Sequence, residues 1–353
     1  MNQEQITKLE LSIENMKNKK SRIYLIAQDT KGNAKASIAY IYRLGLTLLN
    51  AGYNPIILHE TPDYTGVSEW LGEEYMTLPH KSIEGQNLEV SPEDLIVIPE
   101  LYGFVMSQIT NLPCGKIVLC QAYDHMLETL QPGQSWSDLG FLKCITTSNK
   151  QKEQIESVMR NVSFDILTPY ISDKFKPQEL PAKPIITVHS RDQRDTANLI
   201  KTFYIKFPQY RWITFRDMRS LTEKDFANGL ETSCLSVWID EVSGYGTFPL
   251  ESMKCGVPVL GLVPNLLPEW MTEENGLWIN NKIQLVDFIA DYLQNWLEDN
   301  VNENLFVEMK KTVDSLPTKE TFEKESIKLF EGYLTTRKDS FTEQLSKLQT
   351  IEE

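Results

Sequence analysis

The sequence is poor in residues that build metal or disulfide frameworks. Its five cysteines (Cys114, Cys120, Cys144, Cys234 and Cys255) are scattered, odd in number and contain no Cys-x-x-Cys pair. That pattern excludes a zinc ribbon or a stapled secreted scaffold and predicts free thiols in a reducing, cytoplasmic setting. There are four histidines (His59, His80, His125, His189), with no His-x-x-x-His spacing and no carboxylate cluster of metal-ligand spacing, so no metal is expected. No apolar run approaches the roughly 20 residues of a membrane span. The first 20 residues are polar and of mixed charge, unlike a secretion signal. Positive charge is scarce, 35 Lys and Arg against 49 Asp and Glu, for a net charge of −14. This disfavours broad binding to nucleic acid or anionic lipid. A Gly-x-Gly-x-x-Gly turn is missing after the first apolar run, which speaks against a dinucleotide oxidoreductase.

What is present is alternation. The 353 residues suffice for two domains. Ile6, Leu9, Ile13 and Met16 stand at helical spacing, so residues 1–20 are expected to carry an N-terminal helix. Short apolar runs at 22–27, 55–59, 94–99, 115–120, 144–148 and 164–167 read as buried strands separated by helical patterns. The span 168–184 then holds four prolines and little periodicity, as a linker would. Beyond it strands are expected at 184–189, 211–215, 235–239 and 257–262, with helices at about 193–207 and 221–230. The predicted architecture is α/β, with two Rossmann-like doubly wound domains facing each other across a cleft. Residues 21–170 form the first, 171–184 the linker, 185–300 the second, and 301–353 C-terminal helices. Ligands of such folds bind outside the carboxyl ends of the strands.

Charge is distributed unevenly. From Lys183 to Arg219, eight Lys and Arg face three Asp, a basic island that suits a diphosphate. Just downstream lies the densest stretch of the chain, Ser243-Gly-Tyr-Gly-Thr-Phe-Pro-Leu-Glu-Ser-Met-Lys-Cys-Gly-Val-Pro-Val259. Gly244 and Gly246 let backbone approach a ligand without a Cβ in the way. A helix is expected to start near Phe248-Pro249, its N-terminus offering N–H groups and a positive dipole end to phosphate. Glu251, about one turn inside, can hold a ribose by accepting two hydroxyl hydrogens.

This stretch resembles the sugar-nucleotide signature of retaining GT-B glycosyltransferases, the glycosyl transferases group 1 family, which reads roughly Glu-Gly-Phe-Gly-Leu-x-x-x-Glu-Ala-Met-Ala-x-Gly-x-Pro-Val. Gly244, Tyr245 and Gly246 match the Gly-Phe-Gly element, Glu251 the ribose-holding glutamate, and Met253, Gly256, Pro258 and Val259 fall in register. Ser243 stands where the family has its first glutamate, which touches the donor sugar. Val188-His-Ser-Arg-Asp-Gln-Arg194 resembles the family's phosphate clamp, with Arg191 matching the arginine and Arg194 substituting for a lysine.

The resemblance implies transfer of a sugar from a nucleoside-diphosphate sugar, such as a UDP- or GDP-sugar, to an acceptor hydroxyl with retention of configuration. No cofactor beyond that co-substrate is implied. Arg191, Arg194 and His125 are the expected catalytic groups. Ser243, Gly244, Tyr245, Gly246, Thr247, Phe248, Glu251 and Arg216 are expected to hold the nucleotide sugar. Asp29, Gly32 and Asn33, on the loop after the first strand, are expected on the acceptor side. The tail from about 301 to 350 either folds back over the first domain, as in the family, or pairs with another copy. Two further readings stay open: a catalytically inactive GT-B-like binding or partner subunit, and a transferase acting on a hydroxylated DNA base.

Overall fold

The computed structural model describes residues 3–85, 88–177, 182–242 and 244–352. Among them, two parallel sheets organise the chain. The first has seven strands in the order β3-β2-β1-β4-β5-β6-β7. These are β1 (Arg22–Ile26), β2 (Asn54–His59), β3 (His80–Ser82), β4 (Leu95–Pro99), β5 (Gly115–Cys120), β6 (Lys143–Thr146) and β7 (Ser163–Ile166). The second has five, in the order β12-β11-β10-β8-β9. These are β8 (Lys183–Ser190), β9 (Thr214–Asp217), β10 (Ser233–Ile239), β11 (Val259–Leu262) and β12 (Leu277–Ile279). Strands such as β4 and β10 are buried along their whole length, as expected for parallel strands covered by helices on both faces.

Strand order reverses between β1 and β4 in the first sheet and between β8 and β10 in the second. At such switch points the connections diverge to opposite faces and leave a crevice beyond the carboxyl ends. The two crevices meet. Ala122, just after β5, forms an antiparallel bridge with Gly244, just after β10.

The helices follow their sequence patterns. In the first domain they are α1 (Gln3–Lys17), α2 (Ala36–Asn50), α3 (Gly103–Gln108), α4 (Tyr123–Thr129) and α5 (Asn149–Glu156). In the second they are α6 (Gln193–Lys206), α7 (Glu223–Leu230), α8 (Thr247–Lys254) and α9 (Leu285–Leu297). The tail forms α10 (Glu303–Asp314), which packs on α8, and α11 (Lys319–Glu352), which returns to α1 and α2. Phe322 and Phe330 on α11 are fully enclosed in the core of the first domain, Phe322 meeting Tyr40 edge to face at 5.6 Å.

Two of the boundaries that differ from the expectation bear on the site. The strand anticipated at 211–215 begins only at Thr214, because Pro208 opens a tight helical turn whose Tyr210 is buried against Phe203. This carries Asp217, not Phe215, to the carboxyl end of the sheet. The helix anticipated near Phe248-Pro249 begins one residue earlier, at Thr247, since Gly246 takes the left-handed conformation and serves as its cap. Ser243 and part of the proline-rich linker, 178–181, lie outside the described residues.

Candidate functional site

The loop after β10 builds one wall of the cleft. Gly246 has φ of +73°, and a Cβ there would lie 3.1 Å from Trp270 Cζ2 and 3.4 Å from Trp238 Cη2. Trp270 also pins the loop by donating Nε1–H to the Tyr245 carbonyl at 2.6 Å. Glycine is therefore required twice at Gly246, for handedness and for space. Gly246→Ala is expected to cost about 1–2 kcal/mol from the left-handed backbone alone, measured by denaturant unfolding. Tyr245 and Thr247 are half-buried, whereas Phe248 is buried and stacks on His189 with ring centroids 4.8 Å apart. Gly246 supplies no side-chain cap, so the first N–H groups of α8 open toward the loop uncapped by it.

Glu251 stands one turn into α8 and remains partly accessible, yet its carboxyl is closely surrounded. Burial is the main influence and pushes it up to about 8; the Arg43 guanidinium opposes that rise, Glu223 adds to it, and a hydrogen bond from Thr247 opposes it. Arg43 comes from α2 of the first domain and Glu223 from α7 of the second. Arg43 Nη2 lies 2.5 Å from Glu223 Oε1, while Lys174 Nζ lies 2.8 Å from Oε2 of the same carboxylate. Glu251 thus sits beside the seam between the domains, within the field of the ion pair that joins them.

Arg191 and His125 come together across the same gap. Arg191 follows β8 and His125 rides on α4, and Arg191 Nη1 approaches His125 Nε2 at 3.5 Å. Asp240, directly after β10, accepts from Arg191 Nε at 2.9 Å with each oxygen and orients the guanidinium. Asp240 is itself held by the Val242 N–H at 3.0 Å.

Two other arginines do not join this group. Arg194, in the first turn of α6, projects into solvent and closes on the Asp192 carboxylate that caps the helix. Arg216 lies within β9 and its guanidinium turns to the Gly229 carbonyl at 3.1 Å and Thr232 Oγ1 at 3.3 Å, at the negative end of α7.

On the opposite wall, Gly32 has φ of +80° and closes a tight turn in which Asn33 spends both its N–H and its side-chain amide on the Thr30 carbonyl. Asp29 accepts from Thr65 Oγ1 at 2.7 Å, tying the turn to the loop after β2. Behind them lies a pair that sequence spacing did not suggest. His59 Nε2 and His80 Nδ1 are 3.1 Å apart, with Tyr64 stacked on His59 at 4.3 Å. Burial pushes His59 down to about 4. Among the described residues, no group of three or more His, Cys, Asp or Glu could hold a metal ion. No helix among them is long and apolar enough to cross a membrane.

Two parallel sheets joined at their switch points, with a helix N-terminus and an arginine at the seam, define a GT-B fold, and comparison with solved structures agrees. Sucrose-phosphate synthase from Thermosynechococcus elongatus superposes with a TM-score of 0.66 at 15% identity, covering 90% of this chain and 100% of that one. Anabaena HepE, in complex with UDP and glucose, superposes with a TM-score of 0.60 at 10% identity, covering 87% and 98%. The chain has a GT-B-like fold of two α/β Rossmann-like domains. By sequence it is 23% identical over 187 residues to an alpha-1,6-glucosyltransferase of Actinobacillus pleuropneumoniae serotype 7, a match covering 51% of this chain and 56% of that protein. The chain thus spans just over half the length of that relative. No protein-family model matches the sequence.

Proposed function

We propose that the protein is a glycosyltransferase that moves a sugar from a nucleoside-diphosphate sugar to an acceptor hydroxyl with retention of configuration. One observation carries this reading: Arg191 after β8, and the N-terminus of α8 with Glu251 one turn inside it, all lie on the carboxyl side of the second sheet's switch point, where the Ala122–Gly244 bridge joins the two domains, and both the arginine and the helix end are suited to a diphosphate. Glu251 takes the ribose hydroxyls, and Arg191 with the first N–H groups of α8 takes the diphosphate. In the transfer step the bond from the anomeric carbon to the phosphate oxygen breaks, and the acceptor oxygen bonds to that carbon from the same face. The acceptor proton passes to the departing phosphate oxygen. His125 lies at the same gap and steadies the sugar or its leaving oxygen by a hydrogen bond. Catalysis on this account is stabilisation of charge developing on the leaving group.

The glucosyl activity named for the sequence relative and the UDP and glucose of the HepE complex make UDP-glucose the first donor to try. The test is a thermal-shift series with UDP, GDP, ADP, CDP and dTDP, followed by hydrolysis of the matching sugar nucleotides. Stabilisation by one nucleotide and release of its sugar are expected. Binding without cleavage across a broad acceptor panel would instead favour an inactive partner subunit, the reading that Ser243 in the first-glutamate position supports. No stabilisation by any of the five would remove the transferase reading.

A further inference from the structure

Glu100 is a buried acid to which the transfer chemistry gives no task. It follows β4 directly, at the switch point of the first sheet, and is 2% exposed. Its Oε1 accepts the Ala122 N–H at 2.9 Å and its Oε2 accepts the Gln121 N–H at 3.1 Å. Its own carbonyl accepts from Thr129 Oγ1 at 2.8 Å. Since α4 runs from Tyr123 to Thr129, the helix is tied at both ends to this one residue. The α4 cap, Ala122, offers no side chain for the purpose. The tied segment reaches both halves of the cleft. Gln121 Nε2 donates to the Ser37 carbonyl at 3.1 Å, Ala122 bridges Gly244, and His125 faces Arg191.

We propose that Glu100 is a positioning residue whose carboxylate fastens the turn before α4 to the end of β4, and thereby sets His125 opposite Arg191 and Ala122 against the loop that receives the nucleotide. The proposal rests on the transferase reading for its kinetic consequence, though not for the clamp itself. A buried carboxyl is costly unless its oxygens are satisfied, and two backbone N–H groups satisfy this one. No neutral side chain of the same length does the same. Glutamine presents one acceptor and turns its amide N–H groups toward the other donor. The charge environment makes the clamp hold above neutrality and loosen below it. Burial pushes Glu100 up to about 7, the N–H groups of Gln121 and Ala122 oppose that rise, and Arg191 opposes it from across the cleft. The thiols of Cys120 on β5 and Cys144 on β6 also face it.

Glu100→Gln tests the proposal, with UDP-glucose as probe. Single-turnover cleavage is expected to fall about 100-fold, the scale of a displacement of roughly 1 Å in a reacting group. In combination with His125→Ala the losses should not multiply, because both changes remove the same contact. Turnover of Glu100→Gln within about threefold of wild type, or losses that multiply fully, would overturn the proposal. A second measurement needs only the wild-type chain. Hydrogen exchange at the Gln121 and Ala122 amides, corrected for the intrinsic pH effect, should be slow at pH 8 and faster by pH 6 as the carboxylate takes its proton. Unchanged protection between those values would also overturn it. Should the wild-type protein bind no sugar nucleotide at all, the transferase reading fails while the exchange measurement still decides the clamp.

Discussion

Arg191→Ala is expected to lower cleavage of the sugar nucleotide by about 10²–10³-fold, the usual loss when one stabiliser of a developing oxyanion is removed. Arg191 leaves the carboxyl end of β8 at the switch point, and Asp240 holds its Nε through both oxygens at 2.9 Å. Its two terminal nitrogens are thereby aimed, one of them toward His125 at 3.5 Å. The side chain is 53% exposed, so in the unliganded cleft its field is screened and stabilises little. Its effect grows when substrate excludes water and charge gathers on the departing diphosphate. The loss should accordingly fall on turnover, with nucleotide affinity changed less than about tenfold. Arg191→Lys should recover part of the rate, because it keeps the charge but not the planar fork. Single-turnover kinetics and calorimetric titration separate the two effects. An Arg191→Ala variant that cleaves its donor at the wild-type rate would end the role assigned to this residue.

Most of the fold could be read from the chain because parallel strands buried on both faces appear as unbroken apolar runs, as at Leu95–Pro99 and Ser233–Ile239. β9 was placed three residues early because Trp212 and Ile213 look like a strand start, whereas Pro208 holds that stretch in a turn. β3 has only three residues and gives no periodic signal. Around the candidate site, the tight Gly-Tyr-Gly turn and the helix that carries Glu251 were legible because both are local geometry: a left-handed glycine, then a helix start. The charge count from Lys183 to Arg219 was a poorer guide. It cannot distinguish Arg191, aimed by Asp240, from Arg194, folded onto Asp192, or Arg216, spent on the end of α7. Glu100, Asp240 and the His59–His80 pair were illegible for a different reason. Each acquires its meaning from a partner 21 to 49 positions away, and spacing alone records no such contact.

Glu251 makes the second large prediction, and its pH dependence separates a binding acid from a merely buried one. In the unliganded protein, burial raises the carboxyl to about 8 against an ordinary value near 4.5. The native state therefore keeps a proton that the unfolded chain has released throughout that window. Stability of the unliganded protein should fall as pH rises from about 4.5 to 8, and Glu251→Gln should abolish that part of the fall. Nucleotide binding should run the other way. A carboxylate that accepts two ribose hydroxyls is bound in its charged form, so binding expels the proton and becomes tighter as pH climbs toward 8. UDP-glucose suits the measurement, because both its phosphates are esterified and carry no terminal group titrating near pH 6. Affinity is expected to rise about tenfold or more between pH 6 and 8 in wild type and to stay flat in Glu251→Gln. At pH 8 the variant should bind about 10- to 100-fold more weakly, matching the roughly 1.5–3 kcal/mol of a hydrogen bond to a charged group. A structural acid would give the stability trend alone. Opposite slopes for stability and affinity, both removed by one substitution, require that the same oxygens sense solvent exclusion in the empty cleft and sugar hydroxyls in the filled one.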